Sequence, residues 1–484
     1  MYIGVDLGTT NVKVAVYNAQ MQLVDRMSSP ARYERSGKQV TFDANQYFDT
    51  LTDLLKKVLS AHQITTVKEI AFTGQAETLI CLDRDDHLLL NAISWMDERS
   101  QDECEILAGM FSKEEYEGIT GQQAVLPTWP ATKILWIRRH LPEVFQKAAT
   151  YMLLKDYIIF RLTGKKKADM SIATFSFWFD IYEKRYWKGM LDAIGVKEEQ
   201  LPELVEPCSY IGELLPELKK ELGLTGEVRI NCGTLDHFAG MIGTGNIDVG
   251  GVTLSTGTVM AMTAMCAEPV PRDSGVAMHY GFIPDTHIML PAAESGGVSL
   301  EWFRTTCMKD VGYDEINRVL SERSETGLLF LPYIAGTNAP EFDSDATGVF
   351  WGLRQEHDAF DMARAVMEGV SFVLRKNTDV ITENGTALQA IIATGGGAKS
   401  DIWCQLHADA TGLQVKVPAE KEAACLGAAM IAAVDDGLFA GYQEAAEKCI
   451  SFEREFEPRR DQRTEAKYQH FCRLYDAVLA AARG

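Results

Sequence analysis

Two aspartates, Asp6 and Asp236, stand beside glycine-rich stretches in a way that suggests chemistry at phosphorus. Asp6 sits near the end of an apolar run, and after Leu7 come Gly8, Thr9 and Thr10. Backbone N–H groups of such a turn form an anion nest, and the two threonine hydroxyls add donors. A carboxylate next to that nest suits a hydrated Mg²⁺ bridging to a nucleotide, with a turn-capping aspartate as the plain alternative. Lys13, the nearest cation, can reach a phosphate or be a solvated strand lysine. Asp236 lies in CGTLDHFAGMIGTGN, where it can accept the proton of a substrate hydroxyl attacking phosphorus. It can equally cap a helix, and His237 is a rival base. The stretch ATGGGAKSDIWCQLHADATG (393–412) offers three successive glycines, which let a flat group such as adenine approach the backbone, and then opens a helix whose start favours an anion. It has neither Walker A nor dinucleotide-fold glycine spacing. In ISWMDERS (93–100), read as an extended segment, Trp95, Asp97 and Arg99 fall on one side. An aromatic face with a carboxylate and a guanidinium suits a polyol, and a half-buried tryptophan beside an ion pair is the alternative.

These groups need elements to aim them, and the chain resembles itself at half its length. Residues 4–12 read GVDLGTTNV and residues 251–259 read GVTLSTGTV, an offset of 247. Each copy reads as a strand, a small polar turn and a second strand, which is a β-hairpin with a Gly/Thr tip. After the first copy come a β segment at 22–26, a helix over Ala44–Ala61 and a strand at 69–73. After the second come a β segment at 278–283, a helix at 297–308 and a strand at 390–393. Two copies of a β-β-β-α-β-α unit imply two α/β domains, 1–245 and 246–484, with a ligand cleft between them. Two hairpin tips directed into that cleft would clamp a di- or triphosphate, the second through Thr256, Gly257 and Thr258.

Composition narrows the partners. The 484 residues carry 47 Lys and Arg against 68 Asp and Glu, a net charge of −21. A field of that sign repels polyanions, so no nucleic-acid partner is expected, and an anionic small ligand must be held by local nests. The ten cysteines include no C-x-x-C pair, which points to a reducing compartment. The start, MYIGVDLGTT, lacks the features of a secretion signal, and the longest small-apolar run, 423–434, is too short to span a bilayer. A cytoplasmic protein without membrane contact is expected.

Together the motifs resemble the FGGY family of carbohydrate kinases over nearly the whole chain, closest in pattern to its xylulokinases. In order they are GVDLGTTNVKVAVYN, TGQ at 73–75, the W-x-D-x-R segment, GTLDHFAG, the STGT turn and the GGGAKSDIWCQLHADATG segment. GVFWGLRQEHDAFDMARAVMEGV (348–370) resembles the family's C-terminal signature. PATKILWI (130–137) resembles another, although Thr128 stands where the pattern usually has Met, Phe, Tyr, Gly or Ser. The resemblance implies two actin-like, ribonuclease-H-like ATPase domains, each a mixed sheet with flanking helices. It implies ATP and Mg²⁺, with Asp6 on the magnesium side and Asp236 as the base. Thr9, Thr10, Lys13, Thr256, Gly257, Thr258, Gly296, Gly297, Gly396, Gly397 and Ser400 are implied for ATP, and Gln75, Glu77, Trp95, Asp97, Arg99 and Asp236 for the sugar. After TGQ the xylulokinases usually carry Met-His and the glycerol kinases Arg-Glu, whereas this chain has Ala76 and Glu77. The expected activity is ATP-dependent phosphorylation of a terminal hydroxyl of a pentulose such as D-xylulose. Gluconate, ribulose, erythritol and glycerol are the alternative acceptors, an actin-like ATP-gated chaperone or filament is the alternative of another class, and a homodimer is one option for assembly.

Overall fold

A computed structural model of the chain describes residues 1–266, 275–293, 295–343, 345–459 and 461–483, with 482 and 483 as backbone alone. The chain forms two compact units. The first comprises Met1–Ile247, Met278–His287 and Glu422–Ile450, and the second Asp248–Ala277, Ile288–Lys421 and Ser451–Gly484. The first crossing, between Ile247 and Asp248, lies close to the expected division at 245, but the units are not contiguous stretches as the sequence suggested. The β segment expected at 278–283 is a strand only over Met278–Tyr280.

In the first unit, Tyr2–Leu7 is buried at all six positions, as a central strand covered on both faces must be. It pairs antiparallel with Asn11–Tyr17 and parallel with Glu69–Gly74. The sheet runs Tyr210–Glu213, Arg229–Asn231, Glu69–Gly74, Tyr2–Leu7, Asn11–Tyr17, Leu23–Pro30. The helix Ala44–Ala61 forms as its sequence spacing predicts. Asp43 accepts from the N–H groups of Asn45 and Gln46, a cap contributing about 1 kcal/mol, and Tyr47, Phe48, Leu51, Leu54, Leu55 and Val58 are buried against the sheet.

The small-apolar run at 423–434 has its explanation on the opposite face. The helix Ala423–Asp435 lies so close to the central strand that a Cβ on Gly4 would stand 2.0 Å from the Cys425 carbonyl oxygen. Cβ atoms on Gly243 and Gly427 would come within 2 Å of carbonyl oxygens on the partnering helix, so this helix and Asp236–Thr244 touch backbone to backbone. That close packing makes Glu422–Ile450 part of the first unit. A second sheet of this unit, Glu34–Ser36, Gln39–Phe42, Ala92–Ile93, Leu79–Leu82 and Thr150–Leu153, carries Glu77 and Trp95 on its connections.

In the second unit, Gly251–Thr256 pairs antiparallel with Met260–Cys266 and parallel with Ala390–Gly395, and the sheet continues through Gln414–Pro418 to Phe452–Phe456. The helices Gly297–Cys307, Tyr313–Ser321, Ala359–Glu383 and Asp401–Thr411 flank it. No helix among the described residues is long and apolar enough to cross a membrane.

Candidate active site

In the first unit the Gly/Thr tip is fastened by side chains from three elements. The Tyr47 hydroxyl donates to the Gly8 carbonyl (3.0 Å), Gln75 Nε2 donates to the same carbonyl (3.4 Å) and to the Tyr33 hydroxyl (3.3 Å), and Trp95 Nε1 donates to Thr9 Oγ1 (2.9 Å). Gln75 is itself oriented by Thr78, whose hydroxyl donates to Oε1 (2.8 Å).

Asp6 sits beneath this tip, 8% exposed, and its Oδ1 has no hydrogen-bond partner among the described residues. Burial, reinforced by the charge of Asp236 and only partly offset by Lys13, raises its carboxyl to about 7. A buried acid with an orphaned oxygen beside a turn of backbone N–H groups fits a divalent cation. Lys13 pairs with Glu422 (2.7 Å) and stands 3.7 Å from Asp6, so its charge is shared between two carboxylates.

Asp236 occupies the first turn of its helix, half-buried, and accepts from the His237 N–H (2.7 Å), with Leu235 in the capping position. Its charge is felt by both Asp6 and Glu77. Glu77 has a left-handed backbone (φ 58°), and its carbonyl accepts from Lys133 Nζ (3.1 Å), which also donates to the Thr128 carbonyl (2.7 Å). Burial pushes the Glu77 carboxyl up and the Lys133 ammonium down.

The segment carrying Trp95, Asp97 and Arg99 is not extended. Asp97 N–H donates to the Ser94 carbonyl (3.1 Å), and the chain turns at Trp95 and Met96. Asp97 is fully buried. Its two oxygens accept from Arg99 Nε (2.8 Å) and Nη2 (2.7 Å), and from the Val40 N–H (2.6 Å). The Arg99 guanidinium lies 4.9 Å over the Trp136 ring. Asp97 therefore braces Arg99 and the neighbouring strand, and Trp95 holds the first Gly/Thr hairpin.

Sequence reasoning missed Tyr33, Tyr47 and Lys133, and also His279. His279 stacks on Phe175 (4.3 Å), meets Gln122 Nε2 through its Nδ1 (3.3 Å) and is pushed down to about 3 by burial and by His237. Lys133 carried a signal, a lysine within the otherwise apolar face of Pro130–His140. His279 carried none, being remote in sequence.

In the second unit the tip is held by backbone. The Gly297 and Val298 N–H groups donate to the Gly257 (2.7 Å) and Thr258 (3.0 Å) carbonyls. A Cβ on Gly297 would stand 2.4 Å from the Gly257 oxygen, and one on Gly296 would stand 2.5 Å from the Met260 nitrogen, so both glycines serve this approach. Beside the tip lies a cavity of about 690 Å³ that Thr256, Gly257, Thr258, Gly297, Gly396, Gly397 and Ser400 all line. Leu300, Met367 and Trp403 give it apolar walls, and Asn317 a polar group. Ser400 caps the helix Asp401–Thr411 by accepting from the Trp403 N–H (3.2 Å), and its hydroxyl donates to Asn317 Oδ1 (2.6 Å), so this hydroxyl is engaged within the protein.

The sequence model of the FGGY family's N-terminal domain matches residues 1–243, and that of its C-terminal domain matches residues 252–435. The chain belongs to the FGGY family of carbohydrate kinases. This FGGY kinase is 30% identical over 485 residues to the xylulose kinase of Bacillus subtilis strain 168, covering 98% of this chain and 96% of that one. Among solved structures, the ligand-bound xylulose kinase of Lactobacillus acidophilus matches at a TM-score of 0.91 and 28% identity, covering 100% of this chain and 98% of that one. The gluconate kinase of the same organism also matches at 0.91 and 28%, covering 99% and 97%. The FGGY kinase thus carries the actin-like, ribonuclease-H-like two-domain fold, with mixed sheets and flanking helices, that its motifs led us to expect.

Proposed function

We propose that this FGGY kinase transfers the γ-phosphoryl group of ATP to a terminal hydroxyl of a pentulose such as D-xylulose, with Asp236 as the base. The observation that carries the reading is the placement of Asp236, half-buried at the start of its helix and within electrostatic reach of Asp6 and Glu77. Kinship to xylulose kinases over nearly the whole chain supports the acceptor. The pocket of the second unit is large enough for a nucleoside, with Leu300, Met367 and Trp403 offering apolar contact and Asn317 a hydrogen-bonding edge. Glu77, Trp95 and Arg99 orient the sugar, and Asp236 takes the proton of the attacking hydroxyl. Asp6 would hold Mg²⁺, which when bound with ATP neutralises phosphate charge.

A second acceptor, gluconate, draws weaker support from two observations. The position after Gln75 departs from the Met-His usual in xylulokinases, and a gluconate kinase matches as well as the xylulose kinase from the same organism. ADP release measured across xylulose, ribulose, gluconate, glycerol and erythritol decides between them. D-Xylulose is expected to give the highest kcat/KM. A preference for gluconate overturns the pentulose reading, and ADP release indifferent to every sugar overturns the kinase mechanism. Asp236→Ala should lower kcat by roughly two to four orders of magnitude. Retained activity in Asp236→Ala together with its loss in His237→Ala would move the base to His237.

A further inference from the structure

The loop that delivers Asp236 rests on a buried polar network with no contact to solvent. Lys155, Asp169, Ser171 and Thr234 are all 0% exposed. The Lys155 ammonium pairs with Asp169 and donates to the Cys232 carbonyl. Asp169 accepts from the N–H groups of Ser171 (2.9 Å) and Ile172 (3.2 Å), capping the short helix Met170–Ala173, and also from the Ser171 hydroxyl. Ser171 Oγ in turn accepts from Thr234 Oγ1 (2.8 Å) and from the Leu235 N–H (3.3 Å). One donated and two accepted bonds are all that a hydroxyl can make.

The intervening residue is fixed as well. The Gly233 N–H donates to Asn231 Oδ1 (2.8 Å) and its carbonyl accepts from the Cys208 N–H (2.7 Å). Its φ is +59°, and a Cβ there would stand 1.8 Å from the Phe72 oxygen. The chain is therefore gripped at each of four residues, Cys232 to Leu235, immediately before the aspartate. A buried ion pair is a poor source of stability, since an apolar replacement of similar volume often does as well. Its location just ahead of a reactive carboxylate calls for another explanation.

We infer that Ser171, held by the Lys155–Asp169 pair, is a positioning residue that fixes the approach of Asp236 to the substrate hydroxyl by bonding Thr234 and Leu235. The inference rests on Asp236 being the base. A carboxylate displaced by about 1 Å loses on the order of a hundredfold in rate while ground-state binding is kept.

The test uses the full-length enzyme with ATP and D-xylulose, comparing Ser171→Ala, Thr234→Val and Thr234→Ser in the wild-type and Asp236→Asn backgrounds. Ser171→Ala and Thr234→Val should lower kcat by roughly tenfold to a hundredfold, leave the KM for ATP unchanged, and keep a cooperative thermal transition. Thr234→Ser, which keeps the hydroxyl, should stay within about twofold of wild type. In Asp236→Asn, where there is no base left to aim, Ser171→Ala should bring no further loss. An equal loss in both backgrounds would make the network merely structural, and a wild-type kcat in Ser171→Ala beside an inactive Asp236→Asn would also end the inference. A fully active Asp236→Asn would instead remove the base assignment itself. Should Ser171→Ala fail to fold, the isosteric Thr234→Val set against Thr234→Ser decides the same question, and a wild-type kcat in Thr234→Val would overturn the inference.

Discussion

The two Gly/Thr hairpins occupy the same place in their sheets and are stabilised in opposite ways. Tyr2–Leu7 and Gly251–Thr256 are six-residue strands, each paired antiparallel with the next strand and parallel with a strand that ends in Thr-Gly. Matched through those pairings, Tyr2 corresponds to Gly251 and Leu7 to Thr256, an offset of 249. The matching nine-residue segments are offset by 247, so the second strand stays paired two residues further into the shared motif before the turn begins. The consequence is chemical. The counterpart of Asp6 becomes Ser255, and the counterpart of Gln75, which braces the first tip, becomes Gly396, which lines the nucleotide-sized cavity. The first tip is fastened mainly by side chains, beside one backbone bond from the Ala31 N–H to the Thr10 carbonyl (2.9 Å), and carries a buried acid. The second is fastened by backbone and lined by glycine, which leaves room for a ligand. One supersecondary unit has thus been fitted for charge and the other for space.

The strongest way to break this contrast is to remove the acid. Asp6→Asn should lower kcat by roughly a hundredfold or more while the protein becomes more heat-stable at alkaline pH. The sign follows from the carboxyl, whose ordinary value of 3.8 is raised to about 7 in the fold by burial and by Asp236. As pH rises from about 4 to about 7, the unfolded chain has already ionised this acid while the fold still binds its proton, so the stability it contributes falls across that window. Asparagine removes the effect. Melting curves in a chelating buffer should coincide for wild type and Asp6→Asn near pH 4 and separate by several degrees at pH 8, and added Mg²⁺ should close the gap. Coincident curves at pH 8 would show that Asp6 is not a strained acid.

For the second hairpin the corresponding lesion is steric. Gly297→Ala places a methyl group 2.4 Å from the Gly257 oxygen and must break or stretch the 2.7 Å bond between Gly297 N–H and that carbonyl. The KM for ATP should rise roughly tenfold, the equivalent of about 1.4 kcal/mol, with the KM for sugar unchanged. A change in the sugar KM alone would reverse the division of labour between the units.

Much of this was legible in the chain because it is local. The helix Ala44–Ala61 shows its apolar spacing, and both hairpins announce themselves by alternation and a small-residue turn. The motifs of the second unit named seven residues that line one cavity. Illegible features depended on distant partners. The twelve-residue small-apolar run at 423–434 read as composition until Gly4, Gly243 and Gly427 showed that it permits backbone contact. Trp95, Asp97 and Arg99 have the residue types of a polyol site, but periodicity cannot reveal that Asp97 turns inward to Val40 or that Trp95 reaches Thr9, 86 positions away. The apparent offset of the repeat misled for a related reason, since residue identity aligned the tips while pairing with Glu69–Gly74 and Ala390–Gly395 aligned the strands.

Two smaller lesions sharpen the comparison. Trp95→Phe keeps the aromatic face and removes only the indole N–H that holds Thr9, so it measures the side-chain brace of the first tip by itself. A hydrogen bond of that kind contributes about 0.5 to 1.5 kcal/mol, so kcat should fall by roughly twofold to tenfold with the sugar KM little changed. If the sugar KM rises instead, the indole N–H serves the sugar and the brace on Thr9 is secondary. Ser255→Ala should have the smallest effect of all, within about twofold in kcat and in both KM values, because the second tip is held by its backbone bonds and not by the residue that replaces the acid. A loss approaching that of Asp6→Asn would mean that both strands present a reactive group at this position, and the asymmetry between the hairpins would then lie in residue identity alone.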